Sequence, residues 1–190
     1  LMTATTFIHT SDFQLGMTRW FLKGEAQGRF NDDREAAIVR LGELAEETGA
    51  EFIVVAGDVF EHNALSREIL ARATEMFKRL PVPVYVLPGN HDPLVADSVF
   101  YKASADNVHV IADSEPIEVA PGVELVGAPY LSKRANHDLV RQALEPLGPA
   151  AGIRIAVGHG QVDSRSGEDD ADTIDLAFVE DCLDRGVIDY

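Results

Sequence analysis

Five consecutive apolar residues, Phe52-Ile53-Val54-Val55-Ala56, run directly into Gly57-Asp58. A strand with one wet face alternates polar and apolar residues. An uninterrupted apolar strand is covered on both faces, as in a parallel sheet held between other layers. The same punctuation recurs along the chain. Thr5-Thr6-Phe7-Ile8-His9 ends in Thr10-Ser11-Asp12, and Val84-Tyr85-Val86-Leu87 ends in Pro88-Gly89-Asn90-His91-Asp92. Ile153-Arg154-Ile155-Ala156-Val157 ends in Gly158-His159-Gly160. Strand C-terminal ends gather along one edge of an α/β sheet, where ligands bind. Asp12, Asp58, Asn90 with His91, and His159 are therefore expected to converge.

Helical periodicity separates these strands. Ala37, Leu41, Leu44, Ala45 and Thr48 share one helical face, with N-cap chemistry in Asn31-Asp32-Asp33 and a stop at Gly49. The glycine-punctuated residues 16–28 read as a loop. A second helix is expected over 64–80, with Ile69, Ala73, Met76, Phe77 and Leu80 on one side, halted by Pro81 and Pro83. Farther on, 98–105 reads as a short helix, and 108–111, 117–119 and 123–126 as short antiparallel strands. Residues 132–144 and 176–183 read as helices, the acid-rich 163–172 as a surface loop, and 187–190 as the start of a strand. Strands alternating with helices, then a strand-rich half, imply an α/β fold with parallel pairing first and mixed pairing later. The 190 residues form one domain over 1–190, with no internal repeat or linker.

Composition excludes some classes. With 46% apolar and 25% charged residues the chain is globular rather than disordered. No run is long enough to span a membrane, and the first ten residues lack the pattern of a secretory signal. Cys182 is the single cysteine, so no intrachain disulfide forms, and the cytoplasm is the default location. The net charge of −16 disfavours a passive nucleic-acid binder, which depends on basic residues against phosphates. A nuclease survives this objection, because part of the acidic excess can be neutralised by metal. Arg19, Lys23, Arg29 and Arg34 form a local basic stretch that reads either as a charge-balancing surface or as a substrate-facing patch.

Carboxylate, amide oxygen and imidazole together make a mixed oxygen–nitrogen donor set, suited to Mn, Fe, Zn and, less well, Mg. One carboxylate can bridge two ions about 3.5–4 Å apart. Asp58 is the candidate bridge, with Gly57 leaving room for close backbone approach. His9, His62, His109 and His137 read as structural, surface or supporting histidines. Trp20, Phe21 and Phe30 read as a satellite cluster or as groove-lining aromatics.

The strings His9-Thr10-Ser11-Asp12-Phe13-Gln14-Leu15-Gly16, Gly57-Asp58-Val59-Phe60, Gly89-Asn90-His91-Asp92 and Gly158-His159-Gly160 resemble the calcineurin-like metallophosphoesterase superfamily. The opening string and Gly127-Ala128-Pro129-Tyr130 look most like the nuclease subunits of double-strand-break repair complexes (SbcD-like). The resemblance implies a four-layer α/β/β/α sandwich of two mixed β-sheets. It also implies two divalent metal ions, Mn foremost, with Asp12 on the first, Asp58 bridging, and Asn90 and His159 on the second. His91 would face the scissile phosphate, with Asp92 orienting it, and the metal pair would activate a water for in-line attack. DNA as substrate, a partner ATPase and a homodimer follow from the same resemblance.

Two departures stand out. The family's opening Asp-x-His is Asp12-Phe13-Gln14 here, so Gln14 offers an amide oxygen as metal ligand or a hydrogen bond to a metal-bound water. The family's final Gly-His-x-His motif and its capping domain are absent, and the chain reads as cut short just before that motif. Three readings stay open: a DNA phosphodiesterase of exonuclease or endonuclease type, a phosphoesterase for nucleotides or other small phosphoesters, and a degenerate, non-catalytic binding module.

Overall fold

The computed structural model describes residues 4–163 and 173–190. The acidic loop expected over 163–172 lies outside them, apart from Asp163. Four strands make one sheet in the order β1-β2-β3-β4: β1 (Phe7–Thr10), β2 (Phe52–Val55), β3 (Val84–Val86) and β4 (Val108–Val110), each paired in parallel with its neighbour. A second sheet has the order β5-β6-β7, from β5 (Ile117–Ala120), β6 (Val123–Gly127) and β7 (Ile153–Val157). It is mixed, β5 antiparallel and β7 parallel to β6.

Strand alternation sorts the apolar side chains into three layers of contact. Ile53 and Val55 of β2 and Val84 and Val86 of β3 face Ile38 and Ala45 of α1 (Glu25–Thr48) and Leu70, Ala73, Met76 and Phe77 of α2 (Arg67–Lys78). Phe52, Val54 and Tyr85 point the other way, onto Val123, Leu125, Ile155 and Val157 of the second sheet. The outer face of that sheet carries Val126 and Ala156 against α3 (Leu139–Leu144) and α4 (Leu176–Asp184). Helices, sheet, sheet, helices: the four-layer α/β/β/α sandwich is the one expected. β2 is buried on both faces, from Phe52 at 0% exposed to Val54 at 2%. Burying such side chains stabilises the fold by about 1.5–3 kcal/mol each.

Several elements differ from expectation, for local reasons. α1 begins at Glu25, not at Asn31-Asp32-Asp33, which lie inside it. Its N-cap is Gly24, at φ 59 and with no side-chain cap, so nothing in the sequence advertises the start. The buried side of α1 is Ile38, Gly42 and Ala45, and Ala37 and Thr48 are exposed. α2 starts three residues later than expected, where the Ser66 hydroxyl accepts from Ile69 N–H. β4 joins β3 in parallel instead of pairing with β5. Over 98–105 only a 3₁₀ turn forms, Val99–Tyr101, and over 132–144 only the last six residues are helical. Residues 187–190 run beside β7 without forming a regular strand, with Asp189 N–H on Arg154 O and Ala156 N–H on Tyr190 O. Among the described residues no helix is long and apolar enough to cross a membrane.

Candidate metal centre

Three of the expected polar residues leave the first sheet at the ends of β1, β2 and β3, and the fourth, His159, leaves the second sheet at the end of β7. The first two tips are zipped together. Asp12 N–H donates to Gly57 O (3.0 Å), Gln14 N–H to Asp58 O (2.9 Å) and Leu15 N–H to Val59 O (2.9 Å). This pairing holds three non-glycine residues at positive φ: Asp12 at 56°, Gln14 at 44° and Asp58 at 52°. Left-handed backbone costs roughly 1 kcal/mol or more per such residue, and clusters of it mark functional turns.

The tips then close on one another. Asp58 Oδ1 accepts the backbone N–H of His91 (3.1 Å), and Asp58 Oδ2 lies 3.3 Å from His159 Nε2. His159 Nε2 is also 3.1 Å from Asn90 Oδ1. Ligand atoms of Asp12, Asp58 and His159 all lie within 4.8 Å of one another. The Ser11 hydroxyl donates to Asp12 Oδ2 at 2.6 Å. Two glycines make the approach feasible. A Cβ on Gly57 would stand 2.3 Å from the His159 ring, and one on Gly89 would stand 2.1 Å from Asp58 Oδ1.

The tautomer of His159 indicates what belongs between these groups. A carbonyl oxygen only accepts, so His159 Nδ1 donates to Ala56 O at 2.8 Å. In the neutral ring Nε2 is then a lone pair aimed at two oxygens. That arrangement is repulsive unless a proton or a cation sits between them. In the metal-free protein the proton takes the place. Burial works against the charged ring, but the hydrogen bond and charge of Asp58 outweigh it and raise the His159 pKa above its ordinary value. Burial likewise pushes Asp58 up, yet His159 and His91 together hold it below the usual carboxylate range. Two carboxylates, an amide oxygen and an imidazole whose other nitrogen is fixed by a carbonyl fit a divalent cation.

The remaining candidates fall out as follows. His91 Nδ1 donates to Glu61 O at 3.1 Å, leaving Nε2 4.0 Å from Asp58 Oδ2. Asp92 does not orient His91. Fully buried, it accepts Phe60 N–H (2.9 Å) on one oxygen and Gly89 N–H (2.8 Å) on the other. It therefore pins the β2 tip to the β3 tip. Burial, opposed by those N–H groups, pushes its pKa up to about 6. Gln14 lies in the zipped loop through its backbone, half-buried beside Asp58.

Two supports were not legible in advance. Arg34 of α1 donates to Phe13 O (2.5 Å) and Gln14 O (3.4 Å), and its guanidinium lies over the Phe30 ring at 4.7 Å. One member of the basic stretch thus clamps the loop that carries Asp12. Glu61 sets a carboxylate oxygen 3.9 Å from His91 Nδ1. Neither residue lies in a motif, and only the folded contacts reveal them.

Residues 5–187 match the model of the calcineurin-like phosphoesterase family. The chain belongs to that family. Over 98 residues, half of the chain, it is 32% identical to the DNA double-strand break repair protein Mre11 of Archaeoglobus fulgidus, covering 21% of that protein. Over its whole length it is 24% identical to the uncharacterized metallophosphoesterase YhaO of Bacillus subtilis, covering 48% of that protein. The chain thus spans at most about half the length of these relatives. One crystal structure matches 96% of the chain and 80% of its own, with a TM-score of 0.52 at 15% identity, which supports the fold.

Proposed function

We propose that the protein is a metal-dependent phosphodiesterase of nuclease type, cleaving DNA. The observation that carries this reading is the convergence of Asp12, Asp58 and His159, with His159 Nε2 facing Asp58 Oδ2 and Asn90 Oδ1, where a metal ion can replace the proton. Asp12, Asp58, Asn90 and His159 would hold two divalent ions, Mn foremost, with Asp58 shared and the Gln14 amide at the edge of the site. Bound there, the ions supply Lewis acidity toward phosphoryl oxygens and lower the pKa of water.

The chain's own residues do the rest. Asp92 joins the β2 tip to the β3 tip, and Gly57 and Gly89 leave room for His159 and Asp58 to approach, so the donors are preorganised. His91, with Nδ1 committed to Glu61 O, presents Nε2 on the Asp58 side of the site. From there it can hold a proton for the departing oxygen of the scissile ester. The Mre11 relative favours DNA over other diesters. By the resemblance of the motifs, the working assembly would be a homodimer with a partner ATPase, and the single cysteine fits the cytoplasm as its place.

The net charge of −16 favours a second reading, a small phosphoester as substrate. The test is Mn-dependent cleavage of single- and double-stranded DNA, beside bis(p-nitrophenyl) phosphate and nucleotides. Cleavage of DNA that is lost in Asp58→Ala is the expected result. Turnover of nucleotides with intact DNA would replace the proposal by the second reading.

A further inference from the structure

The turn Arg19–Leu22 breaks the rules by which turns are normally built. Leu22 N–H donates to Arg19 O at 3.0 Å, which places Trp20 and Phe21 at the two central positions. Those positions favour glycine, proline, asparagine and aspartate. Here they carry two of the largest apolar side chains, and neither is buried: Trp20 is 92% exposed and Phe21 58%. The rings meet edge to face, centroids 5.8 Å apart, and the Trp20 side chain stays almost wholly open to solvent. Their exposure costs hydrophobic stabilisation. A local rule broken without structural gain points to a binding role.

The surroundings identify the class of ligand. The turn is flanked by Arg19 and Lys23, with Arg29 one helical turn into α1, in a chain whose net charge is otherwise strongly negative. Arg34, which clamps the metal-site loop, also reaches Met17 Sδ at 3.3 Å, and Met17 is joined to Arg19 through the Gln27 amide, so Arg19 is tied to that clamp. The turn is also well anchored. Met17 N–H donates to Gln14 O (3.1 Å), and the Gln27 amide joins Arg19 N–H (2.9 Å) to Met17 O (3.2 Å). Trp20 lies eight positions along the chain from Asp12, so their Cα atoms are no more than about 29 Å apart.

We propose that Trp20 and Phe21 form a stacking platform for the unpaired bases of a nucleic-acid strand whose backbone runs toward the metal centre. Open aromatic faces beside cations suit single strands, because every base has a π-face and every nucleotide a phosphate. The proposal rests on the phosphodiesterase reading only for its choice of nucleic acid.

Trp20 is the single tryptophan of the chain, so its emission reports the platform directly. The protein is titrated with single-stranded oligodeoxythymidylate in EDTA, and Mn-dependent cleavage is measured separately. The expected result is saturable quenching that weakens as salt rises. Phe21→Ala should lower the affinity roughly 5- to 150-fold, the span of one lost base stack. Arg19→Gln with Lys23→Gln should flatten the salt dependence. DNA cleavage with Trp20 emission unmoved removes the platform and leaves the phosphodiesterase reading standing. Quenching without cleavage of any diester does the reverse. Emission that responds to phosphatidylserine vesicles and not to DNA overturns the proposal in favour of a membrane contact.

Discussion

Gly89→Ala separates steric from conformational reasons for a glycine in this site. Gly89 is absent from the positive-φ positions, so alanine faces no left-handed strain there. What it meets is Asp58: the added Cβ would stand 2.1 Å from Oδ1 and 2.5 Å from the backbone nitrogen, where ordinary contact begins at 3.4 Å. The carboxylate can rotate, but the backbone nitrogen cannot. Either the β2 tip or the β3 tip must therefore move, against the Asp92 bonds that join them. Overpacking of this kind costs about 1–3 kcal/mol. For a chain of this size that is a fall in melting temperature of roughly 2–12 °C. Displacing the Asp58 carboxylate should also weaken cation binding by roughly 10- to 100-fold, the usual effect of disturbing a ligand's support. Gly28→Ala is the control of opposite sign. Gly28 lies inside α1 with open space around its Cα, so alanine should stabilise by about 0.5–1 kcal/mol. Thermal melts in EDTA and calorimetric titration with Mn measure both effects. If Gly89→Ala melts with the wild type and binds Mn equally well, close packing of the two tips does not shape the site.

Other perturbations follow from the same contacts. Arg34→Met removes the guanidinium from Phe13 O and Gln14 O and should cost about 1.5–3 kcal/mol by urea denaturation, with weaker Mn binding. If stability falls but Mn affinity holds, Arg34 supports the loop without shaping the metal centre. In metal-free protein the raised His159 pKa contributes stability that is full below its ordinary 6.5 and lost as pH rises through the folded value. The lowered Asp58 contributes stability present above 3.8 and lost as pH falls through its depressed value. Urea midpoints in EDTA should therefore decline on the alkaline side, and Mn, which binds the neutral ring, should abolish that decline. Midpoints equally flat with and without Mn would contradict the tautomer assigned to His159. Arg154 is buried against Glu124 at 2.6 Å, Gly148 O and Val187 O. Arg154→Met should lose roughly 1.5–3 kcal/mol in the same assay. An unchanged midpoint would mean that this network is dispensable.

How much of the molecule could be read in advance depended on whether a residue acts through local pattern or through distant partners. β2 was legible because five apolar residues in a row permit few alternatives. Asp12, Asp58, Asn90 and His159 were legible as a group because each follows a strand end, and strand ends meet. The start of α1 was not, because a glycine cap has no side chain to signal it and Asn31-Asp32-Asp33 imitates a cap on an exposed face. The pairing of β4 was not legible, because a three-residue strand carries too little alternation to tell a parallel neighbour from an antiparallel one. Asp92 was placed in the right motif with the wrong partner. One of its bonds closes the local turn at Gly89, but the other goes to the backbone of Phe60, thirty-two residues earlier, and no spacing rule encodes that. Arg34 and Glu61 act through contacts of the same distant kind.

Three of the four donors ride on one sheet and the fourth on the other. An ion seated among them would be a rivet through the seam where the two layers face each other. Pulling it out loosens the seam only at these tips, because each sheet's own ladder of bonds and the apolar packing between the layers stay in place. Chelation should accordingly speed amide exchange at the Gly57–Asp58 and Gly158–His159 tips well before it touches the middle of β2 or β7.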